Sequence, residues 1–158
     1  MKIIYKQGNI VDADEHFILH QVNCQGKMGK GVAKAIRDKW PEVNREYVEY
    51  CNEYKKYNLN NLLGKIQFVS VFNHIIINAF GQFYYGNEEQ RYSNYEAVYN
   101  YLERTKDRII TCSSYRTLAI PYKMACGLGG GNWDVVLAMI KSIFKNSDIE
   151  ITIYKYEL

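Results

Sequence analysis

At 158 residues the chain fits one domain, long enough to bury roughly two-thirds of its unfolded surface. Apolar residues make up 47% and charged residues 23%, an ordinary globular balance rather than a disordered or membrane-embedded one. The net charge of +3, from 20 basic and 17 acidic residues, is too mild for a chain whose main partner is nucleic acid, and it suits a small anionic ligand.

In chain order, "IIYKQGNI" opens with a short strand broken at Gly8 and Asn9. The first residues contain no apolar run of the kind a signal peptide needs, and no window approaches the ~20 apolar residues of a membrane span, so the expected location is the cytoplasm. "FILHQV", Phe17 to Val22, reads as a mostly apolar strand interior to a sheet. After a glycine-rich stretch, Val32, Ala35, Ile36 and Trp40 mark one face of a helix that Pro41 ends or interrupts. "EVNREYVEYCNEYKKY" continues as a polar, tyrosine-bearing helix, and "NLNNLLG" is a turn. "KIQFVSV" and "HIIINAF" form an antiparallel pair across Phe72-Asn73.

"GQFYYGNEEQRYSN" is a loop, after which Ser93 is placed to cap a helix presenting Tyr95, Val98, Tyr99 and Leu102. Glu96, three residues on, completes a capping box. "RIITCSS" is either a strand or the end of that helix, and "TLAIPYKM" is a strand. A second glycine-rich stretch precedes a helix striped with Trp133, Val136, Leu137, Ile140, Ile143 and Phe144. "IEITIYKYEL" closes the chain as an alternating strand. With no linker or repeat to divide it, the chain reads as one α/β domain with a mixed sheet.

Four cysteines (Cys24, Cys51, Cys112, Cys126) form no C-x-x-C pair and the three histidines no i,i+4 pair, so neither zinc nor a disulfide framework is expected. The fifteen tyrosines suit half-buried positions and stacking on a planar ligand, as well as ordinary sheet packing.

The two glycine-rich stretches carry the chemistry. In "HQVNCQGKMGKGVAKAIRDKWP", Gly26, Gly29 and Gly31 alternate with Lys27 and Lys30 between a strand and a helix. Gly26 and Gly31 have P-loop spacing, but Val32 and Ala33 follow where a P-loop needs Lys and Ser or Thr. Lys34 occupies the last glycine position of a dinucleotide fingerprint, so that motif fails too. "CGLGGGN", Cys126 to Asn132, also leaves a strand and enters a helix. Each loop offers bare backbone N–H groups beside a helix N-terminus, so the pair could hold two sides of a pyrophosphate. Each also reads as a plain turn in which glycine supplies φ > 0.

These residues resemble the macro domain, a single α/β/α module that binds ADP-ribose and its derivatives. The resemblance runs from "GNI" through "HQVNCQGKMGKGVAKAI" and "PYKMACGLGGGNW" to "ITIYKYEL". It implies one domain over residues 1–158, with three α/β/α layers and a central mixed sheet of about six strands. The chain is most similar to the branch holding yeast-type ADP-ribose 1''-phosphate phosphatase and the terminal ADP-ribose glycohydrolases. It is less similar to the branch with "NAAN…GGGV".

By this resemblance, the loop from Gly26 to Val32, with Met28, Gly29 and Gly31, holds the proximal ribose and one phosphate. Cys126, Gly127, Leu128, Gly129, Gly130, Gly131 and Asn132 wrap the other phosphate. Asn9 stands where macro domains usually carry an aspartate that accepts from the adenine amino group, and Ile10 offers its backbone N–H. Asn23 touches the proximal ribose or simply closes the turn. Gln82, Tyr84 and Tyr85 line the distal ribose or pack as a surface loop. The implied partners are ADP-ribose, its 1''-phosphate, or an ADP-ribosylated macromolecule, with neither cofactor nor metal.

For catalysis, the glycohydrolases use a lysine and an aspartate whose positions fall near Gly81–Gln82 and at Gly129. No lysine lies between Lys65 and Lys106. The phosphatases carry a candidate histidine in a pattern like "LIHxxNC", and "ILHQVNC" puts His20 there, as general acid, as orienter of water, or as an ordinary strand histidine. Cys24 and Cys126 lack the arginine of a C-x5-R phosphatase loop. Three readings stand side by side: a phosphatase of ADP-ribose 1''-phosphate, a non-catalytic ADP-ribose-binding module, and a hydrolase of ADP-ribosylated protein or nucleic acid with an altered catalytic set.

Overall fold

A computed structural model describes residues 1–156, so the last two residues of the closing strand motif lie outside the described residues. Six strands form one sheet: β1 (Lys2–Gln7), β2 (Phe17–Asn23), β3 (Ile66–Val71), β4 (His74–Gln82), β5 (Thr117–Pro121) and β6 (Glu150–Lys155). Their order is β1-β6-β5-β2-β4-β3, with β3 antiparallel to β4 and all other neighbours parallel.

Parallel strands need helical crossovers, which cover both faces of the sheet. On one face α3 (Tyr95–Cys112) and α4 (Trp133–Phe144) bury Val98, Leu102, Val136, Ile140 and Phe144 against Leu19, Ile77, Ile120 and Ile153. On the other, α1 (Gly31–Lys39) and α2 (Pro41–Lys55) bury Ile36, Val43 and Tyr47 against Ile18, Val22, Ile76 and Phe80. The result is the expected three-layer α/β/α arrangement with a mixed six-stranded sheet.

Pro41 occupies the first turn of α2, where its missing N–H costs nothing, so the helical stretch breaks at Trp40 into two helices. One sequence reading needs correction. Asn94, not Ser93, caps α3 by accepting from Ala97 N, because Ser93 is drawn into a buried network described below. In β6, Thr152 and Tyr154 are buried on the α1/α2 side as Ile151 and Ile153 are on the other. "RIITCSS" resolves as the end of α3, which runs to Cys112. Among the described residues, no helix is long and apolar enough to cross a membrane.

Because β5, β2 and β4 are adjacent and parallel, the loops that follow them emerge at the same edge of the sheet. In open α/β sheets that edge is where ligands bind.

Candidate functional site

A cleft of about 480 Å³ opens at this edge. Its floor is formed by the ends of β2 and β4 and the turn after β5, from His20, Gln21, Gln82 and Pro121 to Ala125. One wall is the first glycine loop with the start of α1. The other combines Tyr85, Gly86 and Asn87 with Gly127, Leu128 and Gly129.

Of the residues singled out in the sequence, His20, Asn23, Gly29, Gly31, Val32, Gln82, Tyr85, Gly127, Leu128 and Gly129 line this cleft together. Asn9, Ile10, Gly26, Met28, Tyr84, Cys126, Gly130, Gly131 and Asn132 are not among its lining. For five of them a local role explains why. Asn9 accepts from Val11 N and caps a short 3-10 turn, in which Ile10 is buried. Met28 is buried in the α1/α2 core. Asn132 caps α4 by accepting from Asp134 N. Tyr84 is exposed and packs its ring on Phe83.

Asn23 closes the first loop. Its Nδ2 donates to Lys27 O at 2.8 Å, and its Oδ1 accepts from Gln25 N and from the Tyr47 hydroxyl, each at 2.9 Å. The loop is also tied to the segment after β4, since Cys24 N donates to Gln82 O and Gln25 Nε2 to Phe83 O. Burial pushes the Cys24 thiol up to about 12 and the Cys126 thiol up to about 11, so both stay protonated and unreactive near neutral pH.

His20 is buried, and its ring is held by a directional chain. Gln67 Nε2 donates to Glu46 O, Gln67 Oε1 accepts from Asn78 Nδ2, and Asn78 Oδ1 therefore faces His20 Nε2 at 2.6 Å. An amide oxygen only accepts, so the imidazole proton sits on Nε2 and Nδ1 presents a lone pair. Nδ1 is buried without a partner. Burial lowers the His20 pKa to about 4, against a smaller opposing effect of the Asn78 bond. The ring is thus neutral near neutral pH, with its only proton committed to Asn78. It is a hydrogen-bond acceptor rather than a proton donor.

On the opposite face of the sheet a second network pins the cleft. Gln21 Nε2 donates to Gln82 Oε1 at 2.9 Å and to Ser93 Oγ at 2.8 Å, while the Tyr101 hydroxyl donates to Gln21 Oε1 at 3.0 Å. Ser93 Oγ in turn donates to Ala125 O, which also accepts from Gly131 N. The second glycine loop is thereby fixed to β2 and α3. This network explains two missing residues. A Cβ at Gly81 would collide with the Gln21 side chain, and one at Gly129 would lie 2.5 Å from Ser93 Oγ and 2.7 Å from Ala125 O. No side chain fits at either position unless the network moves.

Sequence reasoning missed Gln21, Ser93 and Lys123, and gave Lys30 no partner. Three lysines, Lys27, Lys30 and Lys123, line the cleft and, among the described residues, no Asp or Glu does. Lys30 Nζ donates to Asn87 Oδ1 at 2.7 Å, joining one wall to the other. A basic residue following a strand, as Lys123 does, was the available signal. Among the described residues, no three His, Cys, Asp or Glu side chains gather as a metal site.

The chain is 35% identical over 65 residues to ADP-ribose 1''-phosphate phosphatase of Saccharomyces cerevisiae, a match covering 40% of this chain and 34% of that protein. It is 37% identical over 49 residues to DNA ADP-ribosyl glycohydrolase of Mycobacterium tuberculosis, covering 31% of this chain and 14% of that one. The chain thus spans about a third or less of these curated relatives. The solved macrodomain of Mycobacterium tuberculosis DarG shares the fold at a TM-score of 0.81, with 25% identity over 96% of each chain. A family model described as the Macro domain matches residues 19–140, from Leu19 in β2 through most of α4, and the chain belongs to that family.

Proposed function

We propose that the cleft binds ADP-ribose and that the chain removes the terminal phosphate of ADP-ribose 1''-phosphate. One observation carries the binding half: a cleft at the carboxyl edge of a parallel sheet, between two glycine loops, lined by three lysines and no carboxylate. A diphosphate there gains backbone N–H donors, the N-terminus of α1 and uncompensated positive charge. The family resemblance assigns the adenine to the Asn9–Ile10 side, beyond the cleft's lining, and the distal ribose to Gln82 and Tyr85 within it. Support for the phosphatase half comes from the relative so named and from His20 in "ILHQVNC".

In that reaction water attacks phosphorus, the bond to the ribose O1'' breaks, and the departing oxygen takes a proton from solvent. The products are ADP-ribose and inorganic phosphate. The lysines stabilise charge on the phosphoryl oxygens. A neutral His20 accepts a hydrogen bond at Nδ1 and so orients water or a sugar hydroxyl. The leaving oxygen is anomeric, more acidic than an ordinary alcohol, which lessens the need for an acid.

A second reading, binding without chemistry, is favoured by the lack of any lining carboxylate together with the uncharged state of His20. The two are separated by titration calorimetry with ADP-ribose, AMP and ribose 5-phosphate, followed by an assay of phosphate release from ADP-ribose 1''-phosphate. ADP-ribose should bind far more tightly than either fragment. His20→Ala should lose turnover while keeping most ADP-ribose affinity. Binding without phosphate release would leave only the second reading, and absence of binding would remove both.

A further inference from the structure

Lys30 differs in its partner from five other exposed lysines. Lys2, Lys6, Lys34, Lys39 and Lys56 each face a carboxylate. Lys30 faces the neutral amide oxygen of Asn87, in a cleft without carboxylates, so its charge is not compensated. An anionic oxygen adds Coulomb attraction to the ammonium that the neutral amide of Asn87 does not offer, so an arriving anion displaces Asn87.

The surroundings favour that exchange. Lys30 is the N-cap of α1, makes no side-chain capping bond, and is followed by a first turn without acidic residues. A Cβ placed at Gly29 or Gly31 would meet nothing within 4 Å, so space for a ligand adjoins it on both sides. On the floor of the same cleft, His20 Nδ1 is buried and unpartnered. Three lysines also exceed the two phosphate charges of ADP-ribose by one.

We infer that Lys30 is a specificity-determining residue that recognises a phosphate carried beyond the distal ribose, leaving Asn87 to do so. The inference rests on the reading above, in which the distal ribose lies toward Gln82 and Tyr85, the side from which Asn87 comes. Two sources share this chemistry: the terminal phosphate of ADP-ribose 1''-phosphate, and a backbone phosphate next to an ADP-ribosylated nucleotide.

The test measures Kd for ADP-ribose, ADP-ribose 1''-phosphate and an ADP-ribosylated oligonucleotide with the wild type, Lys30→Ala, Lys30→Arg and Asn87→Ala. Lys30→Ala should weaken a phosphate-bearing ligand by about tenfold or more and ADP-ribose by less than about threefold. The affected ligand identifies the phosphate source. Lys30→Arg should restore most of the loss, and Asn87→Ala should leave that ligand bound at least as tightly. Equal weakening of all three ligands, no weakening, or the same loss from Asn87→Ala would overturn the inference while ADP-ribose binding by the wild type still stood. If the wild type bound none of the three, the proposed function itself would fall and this inference with it.

Discussion

His20 is buried with its Nε2 proton committed to Asn78, and burial holds its pKa at about 4 against an ordinary 6.5. The unfolded chain takes up that proton below 6.5 and the folded chain only below about 4. Between those values the unfolded state binds more protons, so the contribution is complete above 6.5 and is lost as pH falls. The loss is on the order of 3 kcal/mol and levels off below about 4. Denaturant unfolding at several pH values should show wild-type stability falling more steeply through this window than that of His20→Gln, which has no ring to titrate. Equal slopes would mean that folding does not lower the His20 pKa. The position of His20 was legible in "ILHQVNC", but its chemical state was not, because Asn78 lies 58 residues away.

Gly129 raises a related problem of space. Replacing the glycine with the aspartate found in the related glycohydrolases should not install their chemistry. Its Cβ would press on Ser93 Oγ and on the backbone oxygen of Ala125, which cannot rotate away. Gly129→Asp should cost about 2 kcal/mol, roughly 5 °C in Tm, without glycohydrolase activity. An unchanged Tm would show that Ser93 yields easily.

At the scale of elements, Ser93 and Asn94 divide between them two jobs that the sequence assigned to Ser93 alone. Asn94 caps α3, while the Ser93 hydroxyl links Gln21 on β2 to Ala125 in the second glycine loop. Asn94→Ala should therefore lower stability by about 1 kcal/mol and leave ADP-ribose affinity unchanged. Ser93→Ala should weaken ADP-ribose by about three- to tenfold, since the loop loses its tie to the sheet. Melting curves and calorimetry on the two variants check the division, and reversed effects would refute it. The helices and the β3–β4 hairpin were readable because apolar period and turn residues are local signals. Which of two adjacent polar residues caps α3 was not, because Gln21, 72 residues away, decides it.

For the whole molecule, the near-continuous apolar run of β2 marked a strand interior to the sheet, and β2 does lie between β5 and β4. The two glycine loops were visible as separate motifs, and the parallel order β5-β2-β4 explains why they meet. Charge was legible only in part. A net +3 says nothing about place, whereas the fold gathers Lys27, Lys30 and Lys123 around one cleft and leaves every carboxylate of the described residues outside its lining. Such a site attracts an anion partly through exposed charges, and salt screens these as the Debye length falls from about 10 Å at 0.1 M to about 3 Å at 1 M. Backbone N–H bonds inside the loops are screened much less. ADP-ribose affinity should accordingly drop by about three- to tenfold between about 0.1 M and 1 M salt, while adenosine, which carries no phosphate, should hold its affinity. Calorimetry at several salt concentrations reads this directly. A flat ADP-ribose response would mean that the loops alone hold the diphosphate and the lysines face away from it. A slope shared by adenosine would mean that salt acts on the protein rather than on the cleft.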